Sequence, residues 1–463
     1  MLVRFNVKNA YSFSERTDSR SEEFSMLAGR VRSKREHIHD DGKLKILKFA
    51  AVYGANASGK SNLVKAIDLM RRIVLRGFPE GDGDKYCRID PANRDRPSYF
   101  EVEIRLGGRY YSYGFEVILS QRMFTSEWLV ELLSDDSERE IFTINSNDGS
   151  YTLSSTLNGK SLSGRLDIYA EDIARDGSSL FLSAMNDRKE YLYSKYDSLK
   201  ILNDVYRWFR DSLSIIYPDQ QVTSFDYFTK TGNTDEICRL ISAFGTGITG
   251  VNIVETPIEQ ILDRLEPSIR NGITARLEKE QDDLNQDEER EEISVAMRTR
   301  RDFFIVNLKK NSIIDKCSTV KFTHGGKGAL FSLSEESDGT VRILDLLEIL
   351  IAGDDRTYVL DELDRCLHPM LSYKFVETFL SIAEKRNTQL IVTTHESRLL
   401  DFDLLRRDEI WFIDKRPGGE SDIYSLDEYN ARFDQKIDKA YLDGRYGGVP
   451  VFNTLFPVEE NDS

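Results

Sequence analysis

The chain has 463 residues, which at roughly 150 residues per domain suggests about three structural units, or one large α/β domain with an insertion. Hydrophobic residues make up 40%, charged residues 31% and aromatic residues 11%, a profile that excludes a disordered or collagenous chain. The net charge of −16 argues against a surface wrapped throughout by nucleic acid, and no run approaches the roughly 18 uninterrupted apolar residues of a membrane-spanning helix.

The opening Met1-Leu2-Val3-Arg4-Phe5 lacks the basic-then-apolar layout of a signal peptide, and Cys87, Cys238, Cys317 and Cys366 form no CxxC pair. A reduced cytoplasmic protein without zinc site or disulfide framework is therefore expected. Leu2 to Val7 alternates apolar and polar residues and predicts a half-buried strand, followed by a turn over Asn9 to Ser14. Ile46 to Tyr53 is apolar with little alternation, as in a strand covered on both faces. It runs into Gly54-Ala55-Asn56-Ala57-Ser58-Gly59-Lys60-Ser61, a complete G-x-x-x-x-G-K-[ST] motif, after which Leu63, Ala66, Ile67 and Met70 follow helical spacing.

Strand, glycine loop and helix in that order are the setting of a P-loop. The glycines let backbone N–H groups turn toward phosphate oxygens, the helix start at Ser61-Asn62 adds its positive dipole end, and Lys60 adds a full charge. Gly54, Asn56, Ala57, Ser58, Gly59, Lys60, Ser61 and Asn62 are thus the expected ATP contacts, with the Ser61 hydroxyl on Mg2+.

Tyr99 to Leu106 and Tyr110 to Leu119, joined by Gly107-Gly108-Arg109, predict a β-hairpin that Ser126 to Leu133 and Ile141 to Ile144 extend into a meander. From about Tyr193 the spacing turns helical, through Val205 to Phe209, Ile237 to Phe244 and Ile258 to Leu265, so the middle is expected to be a helical insertion. Glu278 to Glu292 carries nine acidic residues against two basic ones, nearly half of the net charge. It reads as a solvated helix or a hairpin tip, with a contact surface for a basic partner as the alternative. Arg298, Arg300, Arg301, Lys309 and Lys310 then reverse the sign, and a salt-bridged return helix is expected there ahead of a nucleic-acid stripe.

From Val320 the pattern returns to a strand, then a capped helix over Leu333 to Leu350, a buried strand over Thr357 to Leu360, a helix over Met370 to Ala383, and strands over Gln389 to Thr393 and Ile410 to Ile413. This alternation argues for a parallel sheet flanked by helices. Thr357 to Leu360 ends in Asp361-Glu362, the pattern of a Walker B strand: Asp361 beside the P-loop holds Mg2+ through its water shell, and Glu362 orients and deprotonates a water.

Three further features separate ATPase classes. Ser337-Asp338-Gly339 precedes an amphipathic helix 24 residues before Asp361, where an ABC-type ATPase carries the signature that binds the γ-phosphate held by another subunit; the simpler reading is an N-cap at Ser337 or Asp338. Leu363 to Pro369 follows the acid pair as a D-loop does. His395 ends the next strand, 34 residues after Asp361, as a switch histidine does; His37, His39 and His324 are taken as surface or loop residues.

This order resembles the ABC-type ATPase heads of the SMC and RecF kind over residues 1–150 and 310–463. More narrowly, Met1 to Asn9, Gly54 to Asn62, Tyr113-Gly114-Phe115-Glu116, Ser126-Glu127-Trp128-Leu129, Asp361 to Asp364, Leu367-His368-Pro369 and Tyr441 to Pro450 look like the bacterial AAA15 family of stand-alone, ABC-like ATPases, many of them from phage-defence operons. Within it the chain most resembles the AriA-like ATPases of PARIS-type systems, and next the PtuA-like ATPases of Septu-type systems. That likeness implies a site shared in an ATP-sandwich dimer, with Lys60, Ser61, Asp361, Glu362 and His395 from one copy and Ser337 and Gly339 from the other. A larger symmetric assembly of such dimers is compatible with it.

The likeness also implies a separately encoded nuclease effector, of Toprim or HNH type, and a phage-encoded trigger protein. The competing class is a RecF/SMC-like repair or recombination ATPase binding DNA ends, with the basic residues 298 to 310 as its support. Two departures stand out: the signature lacks the Leu-Ser-Gly-Gly-Gln pattern of transporters, and no Q-loop glutamine can be placed, because Gln121 falls in a turn and Gln220 and Gln221 lie in the insertion. The expected fold class is an α/β, ABC-ATPase P-loop head with an antiparallel β layer and a helical insertion. Its expected segments are an N-terminal lobe (1–185), the insertion (186–315) and a C-terminal lobe (316–463).

Overall fold

A computed structural model describes residues 1–14, 23–133, 137–157, 163–218, 234–286, 290–299, 302–311, 316–326, 328–428 and 437–442. Gln220, Gln221, Asp287 to Glu289, Arg300, Arg301 and Asp443 to Pro450 lie outside them. The chain divides into two compact units, one of Met1–Pro218, Gly353–Asp364 and Phe379–Ser463, the other of Asp219–Ala352 and Arg365–Thr378.

The first unit holds a parallel sheet whose described strands run Leu213–Ile216, Thr357–Leu360, Gln389–Thr393, Phe49–Tyr53, Ile410–Lys415 and, antiparallel at the edge, Ser421–Ser425. Every residue of Phe49–Tyr53, Thr357–Leu360 and Gln389–Thr393 is buried, which is why these strands read as unalternated apolar runs. The edge strand Leu213–Ile216 comes from within the expected insertion, because a four-residue strand beside the Trp208–Ser212 turn leaves no periodic signal of its own.

An antiparallel sheet forms the β layer of the same unit. Its order is Ser150–Leu153, Glu138–Asn145, Met123–Leu132, Arg109–Ile118, Ser98–Leu106, Leu2–Lys8 and Glu23–Ser25, containing the meander the sequence predicts. Leu2, Val52, Val102, Val359 and Ile391 fall within one apolar cluster. Gln389, fully buried, joins the two sheets: its Oε1 accepts from the Leu2 N–H (2.6 Å) and the Thr357 hydroxyl (3.0 Å), and its Nε2 donates to the carbonyls of Leu2 (2.9 Å) and Leu47 (3.0 Å). All its hydrogen-bonding capacity near the core is thereby used.

Glu127 is likewise structural. Its buried carboxylate accepts from the N–H groups of Phe181 (2.5 Å) and Leu182 (3.0 Å) and from the Tyr113 hydroxyl (2.9 Å), and burial pushes its pKa up to about 7. His37 corrects an expectation: it is 6% exposed rather than a surface residue, with Nδ1 2.9 Å from Glu409 Oε1, because the fully buried Glu409 needs a donor.

The second unit differs from the helical insertion expected. Helices Thr234–Ala243, Ile258–Leu262 and Pro267–Gln286 are present, but so is an antiparallel sheet in the order Ile248–Pro257, Lys316–His324, Phe303–Lys309 and Glu292–Arg298, with Leu330–Ser332 paired to Lys316–His324. The return helix expected around Arg298 to Lys310 is instead a strand pair, Glu292–Arg298 against Phe303–Lys309. Ile293, Val295 and Met297 alternate with Ser294, Ala296 and Arg298, a period of two that places Val295 and Met297 in the unit's core. The signature segment, its helix Asp338–Ile351 and the segment Arg365–Thr378 also belong to this unit.

Candidate active site

The strand Phe49–Tyr53 delivers the P-loop, and helix Lys60–Arg76 carries it back across the sheet. Gly59, the residue before the helix, has φ +119°, and a Cβ there would meet the Ser421 hydroxyl at 2.2 Å, so only glycine fits. Two residues without a sequence signal brace the loop. Ser421 donates to the Ser58 carbonyl (2.5 Å), and Ser12 lies 2.7 Å from Ser421 Oγ while accepting from Asn62 Nδ2 (2.8 Å). Neither could be read from spacing, because Ser12 and Ser421 come from the two ends of the chain.

Lys60 is 7% exposed, and its ammonium donates to the loop carbonyls of Gly54 (2.7 Å) and Ala55 (3.0 Å). Desolvation pushes its pKa down to about 8, with Asp361, Asp364 and Glu362 pulling it back up. Ser58 is buried and its hydroxyl has no partner among the described residues, while Asn56 and Ala57 are exposed at the loop tip. An orphaned hydroxyl, a cation resting on carbonyls and a helix N-terminus therefore meet on one loop, and a chain of phosphates fits all three.

The strand Gln389–Thr393 lies between the P-loop strand and Thr357–Leu360, so the threonines at its end reach both neighbours. Asp361 Oδ1 accepts from the hydroxyls of Ser61 (3.2 Å) and Thr393 (2.5 Å), and Thr393 Oγ1 also accepts from the Glu362 N–H (2.8 Å). Ser61 and Asp361 thus stand together as the hydroxyl and carboxylate that a magnesium ion takes beside phosphate and water. Glu362 has φ +52°, a left-handed backbone that costs a non-glycine residue roughly 1–3 kcal/mol and is held by the Thr393 bond.

Asp364 Oδ1 accepts from the Thr394 hydroxyl (2.6 Å) and the His395 N–H (3.2 Å), fixing the exposed His395 at the strand tip. Partial desolvation, and then the charge of Lys60, hold the His395 imidazole below its ordinary value. Spacing alone left Thr393, Thr394 and Asp364 without individual roles. Their contacts make them the bracing of the acid pair and the histidine.

Ser337 and Gly339 lie in the second unit. Ser337 is the N-cap of helix Asp338–Ile351, its hydroxyl accepting from the Thr340 N–H at 3.1 Å, so the simpler reading of this serine holds in the structure. Gly339 meets the chain closely, since a Cβ there would stand 3.1 Å from the Cys366 carbonyl. The described part of the basic cluster is engaged: Arg298 pairs with Asp345 (side chains 3% and 9% exposed), Lys309 lies 3.8 Å from Glu292, and Lys310 lies 3.9 Å from Glu291. Gln121 closes a turn through its N–H to Ile118 O (3.1 Å), as expected, and no helix among the described residues is long and apolar enough to cross a membrane.

A parallel sheet carrying a complete P-loop, with a carboxylate pair one strand removed, defines an ATP-binding domain of the P-loop ATPase class. The chain belongs to the family described as "AAA domain, putative AbiEii toxin, Type IV TA system", whose model matches residues 49–401. No curated protein matches it in sequence.

Three solved structures similar to the chain are SMC heads. One is an SMC head bound to the C-winged helix domain of ScpA (12% identity, TM-score 0.39, 92% of this chain and 99% of that one). Another is the SMC head domain from Thermotoga maritima (15%, 0.37, 92% and 98%). The third is an SMC head domain with an extended coiled coil bound to the C-terminal domain of ScpA derived from Pyrococcus furiosus (14%, 0.33, 96% and 99%).

Proposed function

We propose that the chain hydrolyses ATP in a site completed by a second copy of itself, and that it is the sensor and scaffold subunit of an antiphage defence complex. The observation that carries the hydrolytic half is the convergence of Lys60, Ser61, Asp361, Glu362 and His395 at neighbouring strand ends of one unit. Bound Mg2+ and ATP supply the electrophilic phosphorus and part of the charge neutralisation. Lys60 would exchange its two loop carbonyls for phosphate oxygens, and Ser61 and Asp361 are the residues that would hold the ion. Glu362 orients the attacking water and takes its proton, and His395 hydrogen-bonds the γ-phosphate.

Ser337, Gly339 and the helix N-terminus of the second copy complete the phosphate contacts. Because the γ-phosphate then bridges two copies, its loss removes the bridge and nucleotide state becomes assembly state. A larger symmetric assembly of such dimers is consistent with this. The defence role rests on the motif resemblance to PARIS-type ATPases and on a family whose description includes a type IV toxin–antitoxin system. The partners proposed are a separately encoded nuclease, Toprim first and HNH second, and a phage-encoded trigger protein. A RecF-like role at DNA ends has less support, since Arg298, Lys309 and Lys310 already have acidic partners.

Co-expression with the product of the neighbouring gene, followed by size-exclusion chromatography with and without ATP, tests the assignment. A nuclease co-eluting in an ATP-dependent species is the expected result. One unchanged species with ATP present or absent, and no nuclease retained, would contradict it.

A further inference from the structure

Within the second unit, the strands Glu292–Arg298 and Lys316–His324 run in the same direction, each antiparallel to Phe303–Lys309 between them, so their last residues lie at the same end of the sheet. Both of those residues hold the signature segment. Arg298 forms a buried ion pair with Asp345 in the third turn of the signature helix. His324 Nε2 stands 2.7 Å from Glu336 Oε1, with the Glu336 side chain 4% exposed and immediately preceding the Ser337 cap. The imidazole is further fixed edge-on against Phe331, centroids 5.2 Å apart.

One contact therefore lies just before the helix and the other two turns into it, nine residues further along the chain. A single contact would leave the helix free to pivot about it. Two contacts at that spacing restrain both its tilt and its rotation, and a buried charge pair is demanding in geometry. Around them, Arg342 lies close enough to act on Asp345, and Gly339 abuts the Cys366 carbonyl.

We propose that Arg298 and His324 are positioning residues for the signature. Through them the insertion sheet and the signature helix move as one body, and the pose of the insertion sets how Ser337 and Gly339 are presented to the γ-phosphate held by a second copy. This rests on the shared-site reading above, and it gives the insertion a regulatory role in hydrolysis without any contact of its own with nucleotide.

Heterodimers with a single working site separate the two ideas. In a pair made of one Lys60→Ala copy and one copy with an intact P-loop, the working site takes its P-loop from the intact copy and its signature from the Lys60→Ala copy. Arg298→Met placed in the Lys60→Ala copy is expected to lower kcat at least tenfold, while the same substitution in the other copy leaves kcat within twofold. Should Arg298→Met alone fail to fold, Arg298→Met with Asp345→Leu removes both charges and takes its place. His324→Gln, which keeps a donor toward Glu336, should restore most of the kcat lost in His324→Ala. An equal loss with the substitution in either copy, or none in either, would overturn the proposal and leave the shared site standing. A reference pair without activity would defeat the shared-site reading and the proposal with it.

Discussion

In the parallel sheet of the first unit, Lys60, Asp361, Glu362 and His395 sit just beyond strands that are buried from end to end. In the second unit, the strand pair Glu292–Arg298 and Phe303–Lys309 has mixed exposure, and the partner of Arg298 lies 47 residues away. The first arrangement concentrates chemistry in short motifs beside featureless apolar runs. The second distributes it over ion pairs that exist only once the chain has folded. A site on the first plan therefore tolerates change in its surroundings and not in its motifs, whereas the second plan reverses that.

The largest effect that would break this contrast is at Glu362. Glu362→Gln should lower kcat by about 10²- to 10⁴-fold, the usual contribution of a general base, while ATP binding persists and the ATP-bound assembly accumulates. Steady-state hydrolysis and light scattering measure both, and unchanged turnover would remove Glu362 as the base.

Next in size is Gln389→Leu, which strands the Leu2 N–H and carbonyl and the Leu47 carbonyl between the two sheets. A loss of about 2–4 kcal/mol in denaturant unfolding is expected from groups left buried without partners.

A pH effect follows at Lys60. With its pKa near 8 the lysine is charged below that value whether or not phosphate is bound; above it, binding must take up a proton. ATP affinity should hold between pH 6 and 7.5 and then fall by up to about tenfold per pH unit, with proton uptake visible by calorimetry in buffers of different ionisation enthalpy. Affinity that stays flat to pH 9.5 would place the lysine elsewhere. The smallest effect is expected at exposed Asp282 and Asp283 of helix Pro267–Gln286, where Asn substitutions should change stability by less than about 0.5 kcal/mol and leave hydrolysis unaltered.

The same contrast explains what was legible in the sequence. The P-loop, the acid pair and the buried strands that carry them follow from motifs whose spacing is local, and the β meander from alternation with glycine turns. Ser12 and Ser421 were invisible because they meet the loop from opposite ends of the chain. The strands of the insertion escape the reading because they are set among charged residues, and because Arg298, which sequence spacing assigns to a charged helix face, is a buried strand end. Glu127, within a segment that the family resemblance quotes, anchors the start of helix Phe181–Asn186.

Mixing Lys60→Ala with Ser337→Arg tests the shared site most directly. Each variant alone should be inactive, and one site of the mixed dimer carries both lesions while the other carries neither. ATPase activity should return in mixed dimers isolated through two different affinity tags, at about half the wild-type rate per dimer if the two sites act independently. Isolated mixed dimers with no activity would contradict a site built from two copies.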